Sequence, residues 1–361
     1  GTSSLVGAIN IVTKGKGVRD KAVSLDARVE GGSYGYFSAA GRVGLSSLGE
    51  GVNFHSLSAS YTRSDGYSRN KAGGLNADYR GGNAFYQGGY QAGKTLLSWY
   101  AGMSSKGYGS NTFYGVSSDD QYEHTFKSYT AVQAEAHFGS FHFKPAIYWN
   151  HHNDRFEYFR GRPDRVKYNY HRTDVYGLNL NGYIDWAGGR TAIGAEVRNE
   201  DLLSGNLGEP LGRKHHIHGT DRDYEYGLNR TNANFVLEHN VLLNRFTMSA
   251  GLTAVMNSWA DMGMRLYPGI DASYRLGNDW KVYASYNTSL RMPSVTELYY
   301  SVGGYKADPY LKPEELSAVE VGAKYYGEAV LGQVSVYYNH YRNLIDWIRH
   351  TYLGGDAPWE S

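Results

Sequence analysis

The chain has 361 residues, no Cys, and 36 Lys and Arg against 35 Asp and Glu. Without cysteine there is no disulfide, thiolate metal site or cysteine nucleophile, and a net charge of +1 gives no reason to expect a nucleic-acid partner. Mean hydropathy is −0.53 and no apolar run approaches the roughly 18 residues of a spanning helix, which excludes a helical membrane protein but not a β-barrel, whose strands show only alternate residues to lipid.

Nothing near Gly1 has the pattern of a signal peptide, and Asp356 to Ser361 close no recognisable element. The expectation is therefore an internal piece of a longer chain. From Val23 onward, period-two alternation dominates. Val23, Leu25, Ala27 and Val29 alternate with Ser24, Asp26, Arg28 and Glu30. The same rhythm returns in Tyr176–Trp186, Ile193–Glu200, Phe246–Met256 and Trp280–Arg291. Successive strand side chains point to opposite faces, so each segment has an apolar and a polar face. No 3.6-residue stripe of helical length is present. Runs at 124–138, 173–186 and 243–257 exceed the roughly 5–6 residues of soluble strands, and a tilted strand needs about 9–11 to cross a bilayer.

Connections alternate in length. Tight turns are expected at Leu48–Gly51, Gly93-Lys94, Gly139-Ser140, Ala187–Gly189 and Gly277–Asp279. Longer links fall near 65–82, 106–123, 159–172, 202–224 and 292–316. Short turns on one rim and long links on the other are the layout of an outer-membrane barrel. The fold expected is all-β: a partial antiparallel transmembrane β-barrel of about fifteen strands. Trp99, Tyr100, Tyr148, Trp149, Tyr183, Trp186, Trp280, Tyr337 and Tyr338 are expected near strand ends, as rings of a membrane-interface girdle. The competing reading, a soluble β-sandwich with an aromatic core, rarely needs so many long hairpins.

Two segments resemble TonB-dependent outer-membrane receptors. Leu5-Val6-Gly7-Ala8-Ile9-Asn10-Ile11-Val12-Thr13-Lys14 resembles the last strand of that family's N-terminal plug. Arg291-Met292-Pro293-Ser294, Glu297-Leu298-Tyr299-Tyr300 and Asp308-Pro309-Tyr310-Leu311-Lys312-Pro313-Glu314 resemble a strand and long loop of its barrel. Tyr61-Thr62-Arg63-Ser64-Asp65-Gly66-Tyr67 is similar to an early strand-to-loop junction of the vitamin B12 and siderophore branches. The resemblance implies that residues 1–17 end a plug domain and that 18–361 form a barrel incomplete at its C-terminus. It implies active uptake of a scarce, bulky nutrient across the bacterial outer membrane: an iron–siderophore or cobalamin first, haem next. No catalysis is expected. The partners implied are TonB of the inner-membrane energising complex, acting through the plug, together with outer-membrane lipid, lipopolysaccharide and the small-molecule nutrient. No cofactor is expected beyond a loop calcium, and iron or cobalt enters only as part of the cargo. Because the plug enters from the periplasm, the first strand runs outward and the long links fall outside the cell. The rivals are a passive porin or glycan channel and an outer-membrane hydrolase barrel.

The ligand-binding candidates lie in these links. Tyr67, Tyr108, Phe113, Tyr114, Tyr299, Tyr300 and Tyr305 offer flat amphipathic faces and hydroxyls. Arg69, Lys106, Arg160, Arg162, Arg213 and Lys214 are cations suited to anionic cargo. His215, His216 and His218 form a dense imidazole cluster, able to meet a metal or haem iron but as readily a solvated loop. His151-His152-Asn153-Asp154 should climb a strand toward the outer rim, and Asp119, Asp120 and Glu123 are the oxygens a loop calcium would use. Two motifs are set aside. Gly88–Thr95 satisfies the Walker A pattern, but Thr95–Tyr100 continues as a strand where a P-loop requires a helix, so Gly93-Lys94 is read as a hairpin turn. Glu196, Arg198 and Glu200 are read as water-facing charges of a polar interior rather than catalytic groups.

Overall fold

The computed structural model describes residues 22–47, 52–71, 73–111, 119–259, 262–350 and 357–361. The plug-end reading of residues 1–17 lies outside them. In chain order the strands are β1 (Val23–Gly31), β2 (Phe37–Ser46), β3 (Val52–Ser64), β4 (Tyr79–Ala92), β5 (Thr95–Asn111), β6 (Gln121–Phe138) and β7 (Phe141–Glu157). Then come β8 (Asn169–Trp186), β9 (Gly189–Ser204), β10 (Glu209–His216), β11 (Asp223–Leu242), β12 (Phe246–Asn257), β13 (Met262–Leu276) and β14 (Trp280–Arg291). A one-turn helix α1 (Val295–Tyr299) and a two-residue strand β15 (Tyr305–Lys306) precede β16 (Glu314–Tyr326) and β17 (Leu331–Arg342). Short β18 (Ile348–Arg349) and β19 (Trp359–Glu360) join β15 in a separate three-stranded sheet.

Fifteen of the long strands follow one path in chain order, every neighbour antiparallel, and β10 stands off that path, paired only with β11. This is the expected partial barrel wall. The turns Gly93-Lys94, Gly139-Ser140, Ala187-Gly188 and Gly277–Asp279 all lie on one rim. Gly93, at φ +55°, makes the tight β4–β5 reversal, so the Walker-like residues form a hairpin with no helix after them. The predicted run 243–257 is shorter than expected. Leu243–Arg245 are a turn, closed by the Leu243 amide on the Phe246 carbonyl at 2.8 Å.

Register shows what the alternation is for. Val132, Ile147, Leu178, Val197, Ala233 and Met256 lie opposite one another across six strands. Leu25, Val43, Leu57 and Tyr86 do the same across β1–β4. Apart from the half-buried Tyr86 and Ala233, these side chains are exposed (Leu25 74%, Ile147 56%), which in water would be an unusually large apolar patch and in a bilayer is the lipid-facing band. The intervening residues Asn179, Glu196 and Asn234 line the opposite, polar face together. The compact apolar packing is small and sits at the long-link rim. There Val255, Met262, Tyr267, Leu290 and Met292 cluster with Trp259.

The aromatic girdle at the turn rim holds three of the nine rings expected in it. Trp99, Trp186 and Trp280 share the apolar face near the turn rim. Tyr100, Tyr148, Tyr183 and Tyr337 instead take the polar face, where Tyr100 packs 5.9 Å from Phe85 and 6.2 Å from Tyr129. Trp149 has the apolar parity but lies mid-strand, its indole N–H donating to Asp174 at 3.0 Å. The reason is elementary: Trp99-Tyr100, Tyr148-Trp149 and Tyr337-Tyr338 are adjacent pairs, and adjacent strand residues cannot share a face.

Candidate functional site

The long-link rim is held by a series of polar ties, each joining one link to the next. The β7–β8 link supplies Arg160. Its guanidinium grips Asp78 bidentately, at 2.5 and 2.9 Å, and donates to Asn76 Oδ1 at 3.0 Å. Its plane lies 4.4 Å from the Tyr122 ring. Asn76 donates to the Gln121 carbonyl at 2.8 Å, and the Lys71 amide donates to Asp119 at 2.6 Å. Links β3–β4, β5–β6 and β7–β8 are thereby fastened together. The Arg160 guanidinium beside Asp78 holds that carboxyl below its usual range, against the opposing effect of burial.

The next tie is Arg222, which donates to the Tyr168 carbonyl and so fastens the β10–β11 hairpin to the β7–β8 link. Beyond it, α1 is pinned at its start. Ser294 Oγ accepts from the Glu297 amide at 3.2 Å while Glu297 accepts from the Ser294 amide at 2.7 Å, a reciprocal capping box. Arg291 forks onto Glu297 at 3.0 and 2.9 Å and also pairs with Glu314. Burial pushes the Glu297 carboxyl up, but Arg291 and Ser294 outweigh it and hold it below the ordinary value. Arg230 donates to the Pro293 carbonyl at 2.8 Å and pairs with Glu200, which also meets Arg198 at 2.8 Å. Of the charges read as water-facing, Arg198 and Glu200 thus support, through Arg230, the link that carries α1, while Glu196 stays in the polar lining. Leu298, fully buried, locks the helix down.

Tyr299 and Tyr300 close α1. The Tyr299 hydroxyl donates to Glu209 of β10 at 3.3 Å. Burial, then Glu209, raises its pKa, and burial raises that of Tyr300. The Tyr300 ring meets Tyr305 edge-on at 5.6 Å, and Tyr305 meets Trp347 at 5.1 Å and 89°. Sequence reading placed Tyr300 and Tyr305 in one link but missed Trp347, which arrives from beyond β17 with no local pattern to mark it.

The remaining candidates are less gathered. Tyr67 packs on Tyr34 at 5.9 Å, and Arg69 donates to the Gly73 carbonyl at 2.7 Å within its own link. Tyr108 and Lys106 line a polar-face hollow on β5 with Asn83 and Ser104. Phe113 and Tyr114 lie outside the described residues. His215 and His216 sit on β10, so the expected loop is a hairpin strand that sends them to opposite faces. His216 meets Asp223 at 3.3 Å, and its ring lies 6.2 Å from that of His218. Among the described residues no three His, Asp or Glu side chains are grouped to hold a metal, Asp119, Asp120 and Glu123 included. Of the cations proposed for anionic cargo, Arg160, Arg162 and Lys214 already pair with Asp78, Asp164 and Glu225. His151, expected to approach the rim, lies on the apolar-parity face of β7 and contacts Asp174 at 2.8 Å.

Long antiparallel strands, one apolar face, short turns on one rim and longer, braced links on the other are the architecture of an outer-membrane barrel. The family model "TonB dependent receptor-like, beta-barrel" matches residues 20–357, and the chain belongs to that family, whose members are outer-membrane transporters. Solved structures agree in fold. The siderophore receptor PirA from Pseudomonas aeruginosa aligns over 94% of this chain and 58% of its own, at 14% identity and TM-score 0.64. The ferric enterobactin receptor PfeA from the same organism aligns over 94% and 56%, at 14% identity and TM-score 0.65. The copper transporter OprC aligns over 88% and 53%, at 14% identity and TM-score 0.64. The chain thus spans little more than half the length of these structures. No protein with curated annotation matches its sequence.

Proposed function

We propose that this chain forms part of the barrel of an active importer that carries an iron–siderophore across the bacterial outer membrane, driven by TonB acting on a plug that ends within residues 1–17. Cobalamin is the second cargo in this reading and haem the third. The long-link rim faces outside and captures cargo, and no chemistry is performed on it. The observation that carries the proposal is the braced aromatic group Tyr299, Tyr300, Tyr305 and Trp347, standing at the rim of a receptor-family barrel. Rings with polar tips, pre-positioned by ion pairs beneath, suit a flat amphipathic chelate. One structure sharing the fold is named a siderophore receptor and another a ferric enterobactin receptor, which favours iron chelates, and a copper transporter shares the fold at a similar TM-score, so uptake assays decide the cargo.

The experiment uses the full-length receptor in cells depleted of iron. Ferric enterobactin, free copper and cobalamin are the probes. Uptake of the ferric probe should stop when the proton-motive force is collapsed; persistence would indicate a passive channel, and release of hydrolysed probe an enzyme. The Tyr299→Ala, Tyr300→Ala double variant should bind cargo at least roughly tenfold more weakly with the barrel intact, as expected for aromatic anchors. Unchanged binding would remove both residues from the site.

A further inference from the structure

At the turn rim, opposite the braced links, the polar face carries a pair of facing imidazoles. His137, next to the last residue of β6, lies directly across from His142, the second residue of β7. The hairpin reverses at Gly139-Ser140, with Gly139 at φ +65°. In a two-residue hairpin the pair flanking the turn exchanges both backbone hydrogen bonds and the next pair exchanges none. His137 and His142 are that next pair, the kind whose side chains approach most closely. Their ring centres stand 4.1 Å apart, with the planes at 58°.

The surroundings fix one ring and leave it chemically free. His142 lies flat against Tyr183 of β8 at 4.3 Å and 7°, and the Arg190 guanidinium of β9 lies over Tyr183 at 4.2 Å. The stack sets the plane of His142. Its Nδ1, however, is buried and has no hydrogen-bond partner among the described residues. A buried polar atom left unpaired is costly, and native structures normally supply one with a partner. The two cations beside Tyr183 are themselves paired, Lys144 with Glu135 at 3.0 Å and Arg190 with Asp185 at 2.7 Å. Neither sets an uncompensated charge against a metal ion.

Geometry and ligand chemistry agree on what would occupy such a pair. Two imidazoles bound to one ion at about 2.0–2.1 Å have ring centres roughly 4.5–5 Å apart, so a movement of less than about an ångström brings both rings to bear. Glu135 and Asp185 are taken up by their cations, and the pair lacks the several oxygens that calcium or magnesium requires. Imidazole nitrogen suits copper, nickel and zinc, with Cu2+ bound most tightly of the series. The histidines of the long-link rim compare poorly: His216 and His218 stand 6.2 Å apart, and His216 already meets Asp223.

We infer that His137 and His142 form a two-histidine site for a divalent transition-metal ion, with water completing its coordination. The bound ion clips β6 to β7 beside their turn. Two protein ligands make an open site, unlike a closed cage of three or four. It stands at the far end of the wall from the long-link rim, and it does not depend on what that rim captures.

The test uses the full-length receptor, untagged and stripped of metal by a chelator, with Cu2+, Zn2+ and Ca2+ salts as probes. Calorimetry should find a Cu2+ equivalent whose affinity falls at least roughly tenfold in His137→Gln and in His142→Gln, and which His216→Gln/His218→Gln leaves in place. Electron paramagnetic resonance of that equivalent should show coupling to two imidazole nitrogens in the wild type and to one in either single variant. Zn2+ should compete for it and Ca2+ should not. Circular dichroism and the metal-free unfolding midpoint establish that the variants are folded. Unchanged Cu2+ affinity in both single variants overturns the proposal, as does loss of the equivalent with His216 and His218 instead, or displacement by Ca2+. Absence of a two-nitrogen signal in the wild type overturns it whatever the variants do.

Discussion

The Arg291 hub offers the sharpest test of how the rim is built. Arg291→Gln keeps the side chain's length and removes its charge, leaving Glu297 and Glu314 without their counter-ion. The Glu314 side chain is only 4% exposed and that of Glu297 18%, so the orphaned carboxylates are largely out of water. Breaking such a buried pair from one side costs about 3–5 kcal/mol. The wall should survive, because β14 and β16 remain paired over twelve residue positions, Trp280 to Arg291. The energy should appear as local opening of the link from Met292 to Pro313. At about 1.4 kcal/mol per tenfold, amide exchange at Leu298 and Tyr300 should accelerate roughly 100- to 4,000-fold, with strand amides unchanged. Adding Glu297→Gln and Glu314→Gln should restore much of the protection, since no buried charge is then left alone. Hydrogen exchange read by mass spectrometry supplies the numbers. Unaltered exchange at Leu298 in Arg291→Gln would show that the ion pairs do not anchor α1.

Two further outcomes follow from the geometry. Asp78 is held below the usual carboxylate range by Arg160, so its contribution is complete above about pH 4, the ordinary Asp value, and is lost as pH falls through its lowered one. Protease sensitivity of the β3–β4 link should therefore rise between pH 4 and lower values in the wild type, whereas Asp78→Asn should be sensitive at every pH. A flat wild-type profile would refute the role of this carboxylate. Gly189 combines φ +127° with a would-be Cβ driven into the Asn240 carbonyl, whereas Gly93 at φ +55° has open space around it. Gly189→Ala should lower the unfolding midpoint of the barrel clearly more than Gly93→Ala, whose cost is the left-handed backbone alone, about 1–2 kcal/mol. The reverse order would disprove the packing argument.

Much of the wall was legible because strand alternation is a local signal. Val23 to Val29 announces its two faces without reference to any other segment, and the turns at Gly93, Gly139 and Gly277 carry their own backbone requirement. The rim was legible only as a region. Tyr299, Tyr300 and Tyr305 stood out as aromatics in a long link, but the Arg160–Asp78 tie spans 82 positions and nothing near either residue names the other. Arg160 reads from the sequence only as a cation suited to anionic cargo, and its pairing with Asp78 is visible only in three dimensions. Trp347 escaped notice because a single Trp beyond the last long strand has no spacing to betray it. The four girdle tyrosines found on the polar face are a different failure. The adjacency of Tyr148 and Trp149 already forbade a shared face, so period two, applied strictly, would have sent one of them inside.

The ties that run from Asp78 through Arg160, Arg222, Glu209 and Tyr299 link one long connection to the next. A collar of this kind enters an encounter with its loops already ordered, and the entropy of arranging them is charged to folding rather than to association. Capture by such a surface should be quick and accompanied by a modest entropic penalty, with selectivity resting on shape. Loosening any single brace would then slow arrival as well as shorten residence.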